Sequence, residues 1–270
     1  MQSHKIALIT GAAGSIGRAL AIKFAAGGYH VALGDVDADT LGIVAKDIRS
    51  RGGECSCMPG NVEDDAYLRS FVTETLHQFG RIDVVINNAA WRTLGSMRDI
   101  SLDEWEKTLR ICLTAPAFLA KYAAEAMEKN NIPGVIVNIS SVMAQRAGGS
   151  SPAYIAAKGA LESLTYELAV LYGPRGIRVV AVSPGSIMNG LSGDYRDEAG
   201  SNIAQALSEH VADLTPLGRP GTPEEVANVC YWICSADASY VTGTTMLVDG
   251  GLQHNFNTYT LKKLQFPNEF

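Results

Sequence analysis

The chain has 270 residues, 47% of them apolar and 19% charged, with 27 glycines and a formal net charge of −6. Those proportions exclude a disordered, collagen-like or coiled-coil chain, and an acidic chain without a basic stripe is a poor candidate for nucleic-acid binding. The length suits a single large α/β domain, which can bury roughly 75% of its unfolded surface and needs no disulfide or metal to hold a core.

Along the chain, short runs rich in Val and Ile are separated by amphipathic stretches of helix length. The pattern predicts strands at 6–9, 30–33, 82–86, 135–139, 178–182 and 246–248. It predicts helices over 16–26, 38–50, 64–79, 102–129, 152–172 and 223–235. Cys55-Ser56-Cys57 also alternates like a strand. Strands alternating with helices imply right-handed βαβ units and a parallel sheet covered on both faces. Ser101-Leu102-Asp103-Glu104 and Thr222-Pro223-Glu224-Glu225 read as capping boxes, and Ser151-Pro152 as a third helix start of the same kind. Gly173-Pro174-Arg175-Gly176 ends the helix before the fifth of these strands.

Two segments interrupt the alternation. Residues 185–216 are long, polar and rich in Gly and Ser, with a short helical stretch at 202–213; loops of this length are usually functional or mobile. Residues 252–270 carry Phe256, Tyr259, Phe266 and Phe270 and are too aromatic for a solvated tail. The expected organisation is one domain over 1–251 and a C-terminal tail over 252–270 that packs on it or on a neighbouring subunit. The five cysteines are scattered, without the spacing of a zinc site. No stretch reaches the 18 or so apolar residues of a membrane span, and the N-terminus lacks a signal region. The expected setting is reducing and cytoplasmic, with no metal and no membrane partner.

Thr10-Gly11-Ala12-Ala13-Gly14-Ser15-Ile16-Gly17 follows the first strand and opens the first helix. Small residues there let the backbone approach a pyrophosphate, and the helix end supplies free N–H groups. Asp35 ends the second strand, 18 residues beyond Gly17. A carboxylate at that place accepts both hydroxyls of an adenosine ribose and repels a 2′-phosphate. The expected cofactor is NAD rather than NADP; Arg18, on the first helix, is the residue that complicates the preference.

Tyr154 and Lys158 stand at i and i+4 near the start of a helix, so the phenol and the ammonium share a face. A nearby ammonium favours the phenolate and makes the tyrosine a usable base. Ser141 follows a strand at its carboxyl end, where ligands of parallel sheets collect.

With Thr10–Gly17, Asn87-Asn88-Ala89-Ala90, Ser141, Tyr154 and Lys158, Pro184-Gly185 and the ending Thr242-Gly243…Val248-Asp249-Gly250-Gly251 in this order, the chain resembles the short-chain dehydrogenase/reductases over about residues 5–251. The resemblance implies an α/β, Rossmann-type doubly wound parallel sheet in a single domain. It implies hydride transfer between the nicotinamide and a carbinol carbon, with Tyr154 as acid/base, Lys158 on the nicotinamide ribose and Ser141 steering the substrate oxygen. The Ser-to-Tyr interval of thirteen residues selects Ser141 over Ser140. Cofactor contacts are implied at Gly11, Gly14, Ser15, Ile16, Gly17, Asp35, Asn61, Val62, Asn88, Ala89, Pro184, Gly185, Ile187 and Asn189. A homotetramer built through the helices at 102–129 and 152–172 is implied as well.

The chain departs from the family pattern in four places. The middle glycine of the turn is displaced to Gly14, Ala90 replaces a glycine, Asn189 stands where a threonine is common, and Cys112 replaces an asparagine that helps hold a proton-relay water. A thiol is a weak donor and acceptor, so the relay is expected to be rearranged, through another water or Thr114. Around the substrate, Trp91, Arg92, Thr93, Gln145, Arg146 and the segment 188–196 with Arg196 form a polar set. Arginine forks match acidic groups, and Trp91 offers a face to a sugar ring. The expected substrate is a sugar, polyol or acidic sugar derivative. The alternatives are a 3-oxoacyl-thioester reductase and, from another class, a non-catalytic NAD-binding regulator.

Overall fold

β1 (Ile6–Thr10), β4 (Val84–Asn87) and β5 (Val135–Ile139) are buried at every position, and β2 (His30–Asp35) and β6 (Arg178–Pro184) at all but their ends. Burial on both faces is what a parallel sheet between two helical layers requires. Together with β3 (Cys55–Pro59) and β7 (Thr244–Val248) these strands form one seven-stranded parallel sheet in the order β3-β2-β1-β4-β5-β6-β7. The computed structural model describes residues 4–188 and 199–270. The chain runs outward from β1 to β3 and then returns to the other side of β1. That reversal opens a crevice beyond the carboxyl ends of β1 and β4, where doubly wound sheets bind ligands.

Side chains alternate across β1. Ala7 and Ile9 point into one apolar cluster, with Leu20 and Phe24 of α1 (Ser15–Ala26), Leu41 and Val44 of α2 (Ala38–Ser50) and residues of α8 (Pro223–Ile233). Leu8 points into the other, with Phe71 of α3 (Asp65–Phe79), Leu119 of α5 (Ala115–Lys129) and Ala157 of α6 (Pro152–Tyr172). A polar chain crosses this second layer. Asn87 Nδ2 donates to Asn138 Oδ1 at 2.8 Å, and Asn138 Nδ2 donates to Thr165 Oγ1 at 2.9 Å, all three residues being buried.

The structure changes the expected elements at three places. β3 completes a seventh strand at the sheet edge, where the sequence shows only the Cys55–Cys57 alternation. The helix expected over 102–129 is divided into α4 (Leu102–Leu109), a π-helical turn at Arg110–Thr114, and α5. The cause is Pro116, which has no N–H for the preceding turn and whose ring crowds the carbonyl of Cys112. At Ser151 the side chain does not cap α6; its hydroxyl donates to Ser150 O at 2.7 Å, and the helix starts on Pro152. The remaining long segments contain α7 (Ala204–Leu214), a 3-10 turn at Leu252–His254 and α9 (Tyr259–Gln265). Among the described residues no helix is long and apolar enough to cross a membrane, no metal-binding group of side chains occurs, and the five cysteines are unpaired.

Both capping boxes form as read. In the second, Glu225 also receives the Arg219 guanidinium at 2.7 and 3.0 Å and the Thr222 N–H at 2.8 Å. The guanidinium first, then the N–H, hold its carboxyl down at about 2. Because the folded value is depressed, this contribution is present above the unfolded value of about 4.3 and is lost as pH falls toward 2. Glu225→Gln, which keeps the capping box and loses the exposed ion pair, is expected to lower Tm by about one or two degrees at pH 7, with the gap from wild type closing between about pH 4.5 and pH 2. Thermal melts of both proteins across that range check it, and a gap independent of pH contradicts it.

Candidate active site

The glycine turn is built to let backbone come close. Gly11 has φ +64° and lies so near β4 that a Cβ on it would stand 2.8 Å from Ala89 Cα. A Cβ on Gly17 would meet Gly11 O at 1.9 Å. Asn88 braces the turn from the neighbouring strand end. Its amide donates to Thr10 O and Gly11 O, both at 3.0 Å, while Thr10 Oγ1 accepts the N–H groups of Asn88 and Ala89 at 3.1 Å. Gly14 is the N-cap of α1, which has no side-chain cap and no acidic residue in its first turn. The amides of Ser15, Ile16 and Gly17 are therefore left to an external acceptor, the arrangement that suits the pyrophosphate of a dinucleotide.

Asp35 is fixed beside this turn, accepting Ala13 N at 2.9 Å and Asp37 N at 3.0 Å. Its carboxylate has lone pairs to spare for two ribose hydroxyls. Arg18 is held away by Asp47 of α2, at 3.3 Å, so it does not offset the charge of Asp35 by direct pairing. Asn61 turns its side chain onto Glu63, accepting Glu63 N at 3.0 Å, and Val62 is buried under it. On the other flank Gly185 follows β6 and donates to Val248 O at 3.0 Å, and Ile187 pairs with Gly221. Asn189 and Arg196 lie outside the described residues.

The Ser, Tyr and Lys positions meet at the carboxyl end of β5. Lys158 is 2% exposed, and its Nζ donates to Ile139 O at 2.6 Å, which leaves two of the ammonium protons for other acceptors. The ammonium lies 5.4 Å from the ring centroid of Tyr154, which is half-buried against the second apolar cluster. Ser141 has an extended backbone, and its Oγ accepts Met143 N at 3.2 Å, so the hydroxyl proton remains free to donate. A phenol, an ammonium and an alcohol gathered beside a dinucleotide cradle can bind a carbonyl or alcohol oxygen and move a proton to or from it.

Comparison with known proteins identifies the family. A family model described as enoyl-(acyl carrier protein) reductase matches residues 11–253. The chain belongs to the short-chain dehydrogenase/reductase family. L-rhamnose 1-dehydrogenase (NAD(P)(+)) of Sphingomonas sp. (strain SKA58) is 34% identical, the match covering 93% of this chain and 97% of that one. Glucose 1-dehydrogenase 2 of Bacillus subtilis (strain 168) is 32% identical, with 92% and 94% covered. The crystal structure of NAD+-bound xylitol dehydrogenase superposes with a TM-score of 0.85 at 27% identity, covering 93% of this chain and 100% of that one. As a short-chain dehydrogenase/reductase the chain is an oxidoreductase that uses a nicotinamide dinucleotide, NAD or NADP.

Within that family frame, several side chains are placed otherwise than the sequence suggests. Cys112 is fully buried in the π-helical turn and serves the loop after β4. Its Sγ lies 3.3 Å from Trp91 O and 3.5 Å from Trp91 N, so the thiol braces Trp91. Thr114 is exposed. One face of Trp91 carries Lys107, whose Nζ is 4.5 Å from the ring centroid, a contact the sequence spacing does not announce. Arg92 is half-buried beside it. Arg146 donates to Leu252 O and, at 3.2 Å, to Asn255 O. Its guanidinium therefore fastens the C-terminal segment rather than pointing bare into the pocket. That segment is also tied to α7, through Asn255 Nδ2 to Leu214 O and Thr260 N to Asp213 Oδ1 at 2.9 Å. Sequence reasoning also missed Glu162, a carboxylate on α6 that is only 4% exposed. Its signal was available: a charged residue among the apolar positions of a helix that faces the sheet.

Proposed function

We propose that this protein catalyses NAD-dependent interconversion of a secondary alcohol and its carbonyl on a polar substrate, a sugar, polyol or acidic sugar derivative. The observation that carries the reading is Lys158, buried beside Tyr154 with its ammonium anchored on Ile139 O at the carboxyl end of β5. When bound, the dinucleotide supplies the hydride acceptor or donor. Ser141 donates its hydroxyl proton to the substrate oxygen. Tyr154 takes the alcohol proton during oxidation and returns it during reduction, and the Lys158 charge favours the phenolate. Gly11 to Gly17 hold the pyrophosphate, and Asp35 takes the adenosine ribose. The separation of Arg18 from Asp35 by Asp47 supports NAD over NADP.

In this reading residues 1–251 carry the cofactor and catalytic groups. The segment 252–270 closes the substrate side, as its ties to Arg146 and α7 suggest. Exposed Phe118, Tyr166 and Val170 on α5 and α6 support assembly into a homotetramer. The names of the two sugar dehydrogenases and of the polyol dehydrogenase favour the substrate class; the description of the family model favours an acyl-thioester reductase instead.

The test is reduction of NAD+ and, separately, NADP+ by the purified chain with L-rhamnose, D-glucose, xylitol, sugar acids and 3-hydroxyacyl thioesters. An NAD+-dependent signal with a sugar or polyol is expected. Asp35→Ala is expected to raise the NADP+ to NAD+ ratio of kcat/KM by about tenfold or more. Preference for NADP+ with a thioester supports the competing reading. Dinucleotide binding without turnover of any substrate supports a regulator.

A further inference from the structure

Glu162 stands on α6 one turn beyond Lys158 and two beyond Tyr154. Its buried carboxylate forms no ion pair within the described residues. It accepts instead from both ends of one short arc. Ser140 Oγ donates to Oε1 at 2.9 Å, and Gln145 Nε2 donates to Oε2 at 2.9 Å. Ser141 lies inside that arc. The Ser140 hydroxyl is also 3.4 Å from Lys158 O, and Gln145 Oε1 accepts Gln253 Nε2 of the C-terminal segment at 3.3 Å. A buried carboxylate held by two neutral donors is a costly way to fill space, since an apolar side chain of similar volume at such a site is often neutral or stabilising. Stability alone gives no reason for it.

We propose that Glu162 is a positioning residue: its carboxylate pins the arc 140–145 to α6 and so sets the Ser141 hydroxyl relative to Tyr154 and Lys158 on the same helix. The proposal rests on the reading of those three residues as the catalytic groups. It assigns Gln145 a supporting part, as the donor through which the docked C-terminal segment steadies the same arc.

Three variants of the full chain separate positioning from packing. Glu162→Gln keeps an oxygen for Ser140, and the surface side chain of Gln145 can turn away. Glu162→Leu leaves the buried Ser140 hydroxyl only the long 3.4 Å contact to Lys158 O. Ser140→Ala with Glu162→Leu removes both polar ends, so stability should recover, because replacing both partners by apolar groups is nearly neutral. The readouts are Tm, kcat and KM for NAD+ with whichever of L-rhamnose, D-glucose and xylitol the wild type oxidises, and amide exchange of peptide 140–146.

Glu162→Leu is expected to lower kcat by about 30- to 100-fold with the KM for NAD+ within about twofold. Glu162→Gln is expected to stay within about threefold of wild-type kcat. The double variant is expected to regain Tm and keep the low kcat; if Glu162→Leu does not fold, the double variant carries the test. A kcat that recovers with Tm, or that Glu162→Leu leaves unchanged, overturns the proposal. If the wild type oxidises none of the three probes, kcat is read on whichever sugar acid or 3-hydroxyacyl thioester it does oxidise; if it oxidises no alcohol of the panel, the catalytic reading fails separately, and exchange decides the positioning role. Exchange about tenfold faster in both Leu variants and unchanged in Glu162→Gln supports it, and equal exchange in all three overturns it.

Discussion

Tyr154→Phe is expected to lower kcat by about 10³-fold, within the 10²- to 10⁴-fold range of a lost acid/base group, while NADH binding stays near wild type. The substitution removes one oxygen and keeps the ring. That ring is half-buried against the second apolar cluster, so the phenylalanine keeps its neighbours and the helix its packing. Lys158 is held by Ile139 O at 2.6 Å independently of the phenol, so its ammonium stays where it is. What disappears is the only group among the three that can both accept and return the substrate proton in the proposed reaction. Steady-state turnover on the substrate found in the panel, with NADH binding followed by fluorescence, measures both quantities. Turnover within tenfold of wild type would transfer the acid/base role to another group.

Gly17→Ala is expected to weaken dinucleotide binding by about 10²-fold or more and to destabilise the fold by about 1–3 kcal/mol. The added Cβ would stand 1.9 Å from Gly11 O, 2.7 Å from Gly11 C and 2.8 Å from Ala12 Cα, and all three are backbone atoms. Gly11 has little room to give way, because it is wedged at φ +64° against Ala89 and Asn88. The turn must open, and the amides at the start of α1 lose their aim. Gly14→Ala is the control: its Cβ would meet only Gly11 O, at 3.4 Å, and binding is expected within a few-fold of wild type. Titration of the three proteins with NAD+ and NADH, alongside thermal melts, distinguishes them. Equal loss in both variants would mean that the close approach of Gly17 to Gly11 is not what sets binding.

The sheet was legible because its strands are buried on both faces and read as short runs of Val and Ile, as at β1, β4 and β5. The glycine turn, Asp35 and the Tyr154–Lys158 pair were legible because each is local: a turn, a strand end, one helical spacing. β3 was faint because it is an edge strand whose burial alternates. The break at Arg110–Thr114 had its cause in plain sight at Pro116, but an amphipathic pattern runs through it on both sides and hides it. What could not be read were contacts between distant segments. Arg146 looked like an anion ligand until its partners, more than a hundred residues away, were in view. Trp91 looked open until Lys107 covered a face. Cys112 looked like a lost relay residue, and it braces the Trp91 loop.

The buried amides of Asn87 and Asn138 bear on how sequences of this kind can diverge. Each is satisfied by the next, and the second by Thr165. Changing one alone strands a polar partner in the core, at about 1–3 kcal/mol for each orphan, whereas exchanging the whole set for apolar residues of matching shape can be nearly neutral. At neighbouring apolar positions such as Val85 and Ile136 a single exchange has only volume to respect. The three polar residues instead act energetically as one unit, least costly to keep whole or to replace whole. It ties β4, which leads into the Asn88 strut, and β5, which leads to Ser141, to the helix bearing Tyr154.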